Sequence, residues 1–128
     1  MNLSKRISVL YAEDDEDASY LVSTLLGFSG IEVTSVRTAA AAFQAAQKRY
    51  FDLYLLNSRY SDGNGFDLCW RLRELSPLIP IVLFSGAADK NDRERGLAAG
   101  ADKYLIKPHN DEIAPAIFEL VATRTVAS

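Results

Sequence analysis

The chain carries one cysteine, one histidine, one tryptophan and four prolines in 128 residues. With Cys69 alone no internal disulfide can form, so Cys69 is expected to be a small, partly buried core residue. With His109 alone no second imidazole or nearby thiol is at hand to share a metal, and His109 is expected in solvent. Positive charge is short too: 14 Lys and Arg against 17 Asp and Glu leave a formal net charge of -3. No global positive field exists to hold phosphate backbones or an anionic leaflet, and direct nucleic-acid binding is not expected. Long apolar runs are missing as well. After Met1 to Arg6, only Ile7 to Ala12 is mostly apolar before acids arrive. Neither a signal peptide nor a membrane span is read, and the expected location is cytoplasmic.

What is present is a balanced, core-forming composition, 48% hydrophobic and 24% charged, enough for one well-buried core and too short for two ordinary domains. One domain over residues 1–128 is expected. Short apolar runs alternate with longer amphipathic segments. Ile7 to Ala12, Ile31 to Val36, Asp52 to Asn57, Pro80 to Phe84 and Lys103 to Ile106 read as strands, several apolar at successive positions as in a sheet covered on both faces. Between them, Leu21, Leu25 and Phe28 share a helical stripe. Ala39, Ala42, Phe43 and Ala46 follow Thr38, a plausible N-cap, and Leu68, Leu72 and Leu75 follow Gly65. Gly27 to Gly30, Ser76-Pro77 and Gly100 punctuate helix ends. Five βα units predict an α/β fold: a three-layer, doubly wound, five-stranded parallel sheet of flavodoxin-like type.

In such sheets ligands sit beyond the carboxyl ends of the strands. Here those ends are Glu13-Asp14-Asp15, Asn57, Ser85-Gly86 and Lys107-Pro108, so two carboxylates, an amide, a hydroxyl and an ammonium should converge on one crevice. Glu16 and Asp17 read as ordinary acids at a helix start, favoured by the macrodipole. Glu13 and Asp14 sit at the strand end, where that explanation fails.

With these blocks in order, the chain resembles the receiver domain of two-component response regulators, of the stand-alone, chemotaxis-regulator-like kind, from about Ile7 to Ala122. The residues that carry the resemblance are Val9 to Asp15, Phe51 to Asn57, Asp62-Gly63-Asn64-Gly65-Phe66, Pro80 to Gly86 and Gly100 to Pro108. It implies strand order 2-1-3-4-5, the order established for receivers, which is carried over with the family and does not follow from the spacing. It also implies that Glu13 and Asp14 form the acidic pair holding Mg²⁺, Asp14 directly and Glu13 through water. Position 57 would be phosphoacceptor and metal ligand, and the backbone carbonyl of Arg59 the next ligand. Ser85 would bind and report the phosphoryl group, Lys107 would supply a point charge, and Tyr104 would be the aromatic that changes rotamer. A cis Lys107-Pro108 bond is expected, turning the lysine into the crevice.

The departures are as informative. Asn57 stands where an acyl phosphate needs a carboxylate nucleophile, and an amide oxygen neither attacks phosphorus nor leaves a stable product. Ser61 stands where the family usually places proline. Phosphorylation is therefore not expected, and Mg²⁺ binding is expected to be weak or absent. Charge could balance without metal if the Arg59 guanidinium turned inward to fork onto the carboxylates; the alternative, Arg59 in solvent, is equally open.

The expected function is a non-enzymatic receiver module acting through protein contacts, with a sensor histidine kinase or a downstream signalling protein as partner and self-association left open. Two rivals share the fold: a flavodoxin-like cofactor binder and a metal-dependent phosphotransferase. The first would want a Gly- or Ser-rich phosphate loop where Glu13-Asp14-Asp15 stands, and the second a nucleophile where Asn57 stands. A third alternative is a conventional receiver in which Asn57 has deamidated. Tyr11 and Tyr54 are expected to pack between sheet and helices. Phe66 and Trp70 lie roughly opposite the leucine stripe of their helix, and a contact surface there is weighed evenly against cover by neighbouring loops.

Overall fold

Apolar segments with β-branched and aromatic residues become strands, and the capped amphipathic segments between them become helices, in the computed structural model, which describes residues 6–127. The strands are β1 (Ser8–Ala12), β2 (Glu32–Val36), β3 (Leu53–Leu56), β4 (Arg59–Tyr60), β5 (Gly63–Asn64), β6 (Ile81–Ser85) and β7 (Lys103–Ile106). The helices are α1 (Glu16–Phe28), α2 (Ala39–Lys48), α3 (Gly65–Leu75), α4 (Lys90–Ala98) and α5 (Ile113–Ala127), the last preceded by a 3-10 turn at Asn110–Glu112. Five strands pair in parallel in the order β2-β1-β3-β6-β7, while β4 and β5 form a separate two-residue antiparallel ladder. Counting only the strands of the large sheet, this is the expected order 2-1-3-4-5.

The sheet separates two apolar layers. Leu10, Tyr54, Leu56, Leu83 and Tyr104 pack with Ala42, Leu68 and Leu72 of α2 and α3. Val9, Tyr11, Leu53, Leu55 and Phe84 pack with Val22 and Leu26 of α1 and with Ile113 and Ile117 of α5. Each such side chain contributes about 1.5–3 kcal/mol by leaving water. Side-chain caps start four helices at about 1 kcal/mol each: Asp15 accepts from Ala18 N, Thr38 from Ala41 N, Asn64 from Asp67 N and Asp89 from Asp92 N.

Three expectations need correction. The stripe Leu21, Leu25 and Phe28 faces outward, 48%, 40% and 84% exposed, and the sheet is met by Val22 and Leu26 instead. Helix α1 is apolar on two adjacent stripes, so its periodicity did not say which one would be buried. Leu75, in the last turn of α3, is likewise half out, while Leu68 and Leu72 are buried as expected. Cys69 is fully buried, its thiol 3.6 Å from Ala99 O, and burial pushes its pKa up to about 11.

Phe66 and Trp70 do not form one exposed patch. Phe66 packs against the core with the Arg95 guanidinium 4.3 Å from its ring centre, because α4 covers that side of α3. Trp70 alone is 55% exposed, bordering a cavity of about 410 Å³ with Asp67 and Arg71. Tyr11 and Tyr54 pack as expected, and the Tyr54 hydroxyl lies 2.9 Å from Ser76 Oγ. Among the described residues, no helix is long and apolar enough to cross a membrane.

Candidate functional site

Parallel register aligns the strand ends. Ala12 pairs with Leu56, Leu56 with Leu83 and Ser85 with Ile106, so the next residues of each strand open on one crevice. Alternation then divides them between the two faces. Glu13, Asn57 and Lys107 continue the face carrying Tyr11, Leu55 and Leu105, whereas Ser85 continues the face carrying Leu83.

On the first side the groups close into a charge-neutralising network. Glu13 is 1% exposed. Its Oε1 accepts from Lys107 Nζ at 2.6 Å, and its Oε2 accepts from Asn57 Nδ2 and from Asp15 N, each at 3.1 Å. Asn57 Oδ1 accepts from Ser58 N at 2.8 Å. The Lys107-Pro108 bond is cis, as expected. The lysine amine also stands 5.8 Å from the Phe84 ring centre. A buried carboxylate costs several kcal/mol unless it is paired and hydrogen-bonded, and Glu13 is both.

Two predicted residues stay out of this network. Asp14 is exposed, and the Arg59 side chain points to solvent; neither makes a hydrogen bond or ion pair among the described residues. The inward guanidinium fork is therefore absent. Forming it would strip water from a cation that the pair Glu13 and Lys107 does not need.

A divalent cation here would have to draw on Asp14, Asn57 and the Arg59 carbonyl. Both Glu13 oxygens and Asn57 Oδ1 already accept hydrogen bonds, which leaves one free carboxylate for a hard, oxygen-seeking ion. Among the described residues no three His, Cys, Asp or Glu side chains gather in a metal-binding arrangement. This donor set does not fit a tightly held Mg²⁺.

On the other side stand neutral groups. Ser85 is 1% exposed, and its Oγ lies 2.5 Å from Ser58 Oγ and accepts from Ala87 N at 3.0 Å. Tyr104 is nearly buried and donates to Ala87 O at 2.6 Å. Burial pushes its pKa up, with the Ser85 hydroxyl acting the other way.

Sequence reasoning gave no structural role to three residues that shape the crevice, Tyr60 and Ser58 and also Asp62, which entered only as part of the motif carrying the resemblance. The Tyr60 hydroxyl sits between β1 and β3, accepting from Asn57 N at 2.7 Å and donating to Ala12 O at 2.9 Å. Burial, more than the opposing Asn57 bond, raises its pKa. Ser58 faces Ser85. Asp62 accepts from Ala39 N and Ala40 N, each at 2.9 Å, and so ties the loop after β3 to the start of α2. An aromatic three residues beyond a strand end, and an acid in a glycine turn, were the available signals. Nearby, Gly65 is required by close approach: a β-carbon there would lie 1.8 Å from the Asn57 carbonyl oxygen. Tyr11 Oη is buried beside Glu13 and is, among the described residues, the buried side-chain polar atom without a hydrogen-bond partner. Burial first, then the Glu13 charge, raises its pKa.

Comparison with known proteins agrees with this fold. The response regulator receiver domain matches residues 9–118. The transcriptional regulatory protein GltR of Pseudomonas aeruginosa is 36% identical over 103 residues, 79% of this chain and 43% of that protein. Sensor protein EvgS of Escherichia coli is 28% identical over 108 residues, 84% of this chain and 9% of that protein. The chain thus spans about half the length, or less, of the curated relatives it matches. Among solved structures, a two-component response regulator from Clostridium difficile matches with TM-score 0.85 at 28% identity, over 94% of this chain and 98% of its own. A CheY-like receiver domain protein from Methanospirillum hungatei reaches TM-score 0.91 at 24% identity, over 97% of this chain and 100% of its own, a likeness of fold.

Proposed function

The chain belongs to the response regulator receiver domain family, and from that premise we propose that it is a receiver module of two-component signalling that takes no phosphoryl group at position 57 and works by protein contact. The carrying observation is the Asn57 amide, which stands at the end of β3 and donates to Glu13 at 3.1 Å. An amide cannot act as the nucleophile of acyl-phosphate formation, and Lys107, which would otherwise meet a transferring phosphoryl group, is engaged by Glu13.

On this reading Glu13 and Asp14 are the remnant of a Mg²⁺ site whose affinity is weakened by the missing third carboxylate, and the Arg59 carbonyl is its remaining backbone ligand. Ser85 and Tyr104 occupy the positions of the phosphate-sensing pair. The module is not an enzyme. Its partner is a sensor histidine kinase or a downstream signalling protein, in keeping with the kinds of protein that share the domain. Contact surface is available: Tyr20, Leu21, Leu25 and Phe28 expose apolar area along α1, more than scattered surface residues would.

The test is incubation with acetyl phosphate and Mg²⁺, followed by intact-mass measurement. Wild type should gain no phosphoryl mass, while Asn57→Asp should, because Asp14, Ser85 and Lys107 remain in place. Labelling of the wild type without prior deamidation would overturn the proposal.

A further inference from the structure

The neutral side of the crevice contains an unbroken chain of contacts. Ser58 Oγ meets Ser85 Oγ at 2.5 Å, Ser85 Oγ accepts from Ala87 N at 3.0 Å, and Ala87 O accepts from Tyr104 Oη at 2.6 Å. Both serines are buried, 5% and 1% exposed, so neither hydroxyl has water to turn to. The chain links the end of β3 through the turn after β6 to β7. Its far end depends on a residue of α4: a β-carbon on Gly96 would lie 2.7 Å from Leu83 Cδ1 and 2.8 Å from Tyr104 Cδ2. Contacts that short do not occur between real side chains, so Gly96 is the vacancy that the Tyr104 ring fills.

We propose that Ser58 and Gly96 are positioning residues that hold Tyr104 inward and the turn after β6 in one arrangement, with no group added at position 57. The proposal rests on the reading of Asn57 above and deepens it. Ser58 supplies from within the chain a partner for Ser85. Losing it would leave a buried hydroxyl short of one bond and loosen the turn that carries the acceptor of Tyr104. The surface formed by that turn, α4 and β7 is then preset and always presented. A bland role for Ser58, mere satisfaction of Ser85, would leave Tyr104 indifferent to its removal.

Nitration by tetranitromethane, read peptide by peptide in the full chain, separates these cases, because the other tyrosines serve as standards. Tyr20 is 73% exposed and should react freely, whereas Tyr11 is 1% exposed and reports an intact fold. Wild-type Tyr104 should react at least about tenfold more slowly than Tyr20, as expected for a side chain that must await local opening. In Ser58→Ala and in Gly96→Ala it should speed up severalfold while Tyr11 stays protected. Slow reaction of Tyr104 in Ser58→Ala, or reaction as fast as Tyr20 in the wild type, would overturn the proposal. If Tyr11 opens in either variant, amide exchange in the wild type decides: protection of Ala87 N beyond that of Ala88 N supports the relay, and equal exchange sinks it. Acetyl phosphate labelling is scored separately, so a phosphorylated wild type would remove the reading of Asn57 without altering what Tyr104 reports.

Discussion

The two ends of the sheet use charge differently. At the amino ends of the strands, Arg124 donates to Asp52, which also accepts from Ser8 N. Arg73 donates to the carbonyls of Pro77, Ile79 and Gly100 and to Asp102, which in turn accepts from Ile81 N. Arginines fork onto carbonyls and carboxylates there, and the strand starts are pinned. At the carboxyl ends a single lysine neutralises one buried carboxylate, an amide donates to it, hydroxyls fill the rest, and Asp14 and Arg59 are left in water. One end is organised for hold, and the other leaves charge unanswered where partners and solvent can reach it.

That contrast places the costliest polar deletion at the amino end. Arg73→Ala should lose about 3 kcal/mol in urea unfolding, since it strips partners at once from two part-buried carbonyls, Gly100 O and Ile79 O, and from the Asp102 carboxylate. Lys107→Met at the carboxyl end should cost less, about 2 kcal/mol: Glu13 would be left buried and uncompensated, but the lysine side chain is 27% exposed and its contribution is screened accordingly. A larger loss for Lys107→Met than for Arg73→Ala would break the comparison. Tyr60→Phe removes the hydroxyl bridging Asn57 N and Ala12 O and should cost about 1 kcal/mol, with amide exchange at Asn57 accelerating more than at Leu53.

The smallest effect concerns Asp62 and shows in the pH dependence of stability. Hydrogen bonds from Ala40 N and then Ala39 N hold its carboxyl below the ordinary value of 3.8. Its contribution is therefore whole above the ordinary carboxylate range and is lost as pH falls through the lowered value. Asp62→Asn should lower stability slightly at neutral pH and flatten the acid limb, its profile meeting that of the wild type once the wild-type carboxyl is protonated. An unaltered acid limb would mean that the tie between the loop and α2 carries no weight in solution.

Reading the chain without coordinates went far because local chemistry repeats at each level. Successive apolar residues in Val9 to Ala12 and Leu53 to Leu56 read as strands covered on both faces, and strand ends carrying Glu13, Asn57, Ser85 and Lys107 meet once those strands run parallel and adjacent. Thr38 as a cap follows from side-chain geometry within a few residues, while the cis Lys107-Pro108 bond was expected from the family resemblance. The proposal that position 57 takes no phosphoryl group was likewise legible in the sequence, since it rests on the chemistry of the amide group itself.

Tertiary structure alone decided the matters in which two local solutions were equal. Helix α1 had two apolar stripes, and the sheet selected Val22 and Leu26, leaving Leu21, Leu25 and Phe28 outside. Arg59 could have turned inward, but Lys107 reaches Glu13 from beyond another strand, and desolvating a second cation there would bring no gain. Tyr60, Ser58 and Asp62 find partners on Ala12, Ser85 and Ala39, residues distant in the chain. Periodicity and caps report what a residue does to its near neighbours. Which hydroxyl bridges two strands, and which carboxylate closes a distant helix, is settled only when packing brings those strands and helices within hydrogen-bond reach.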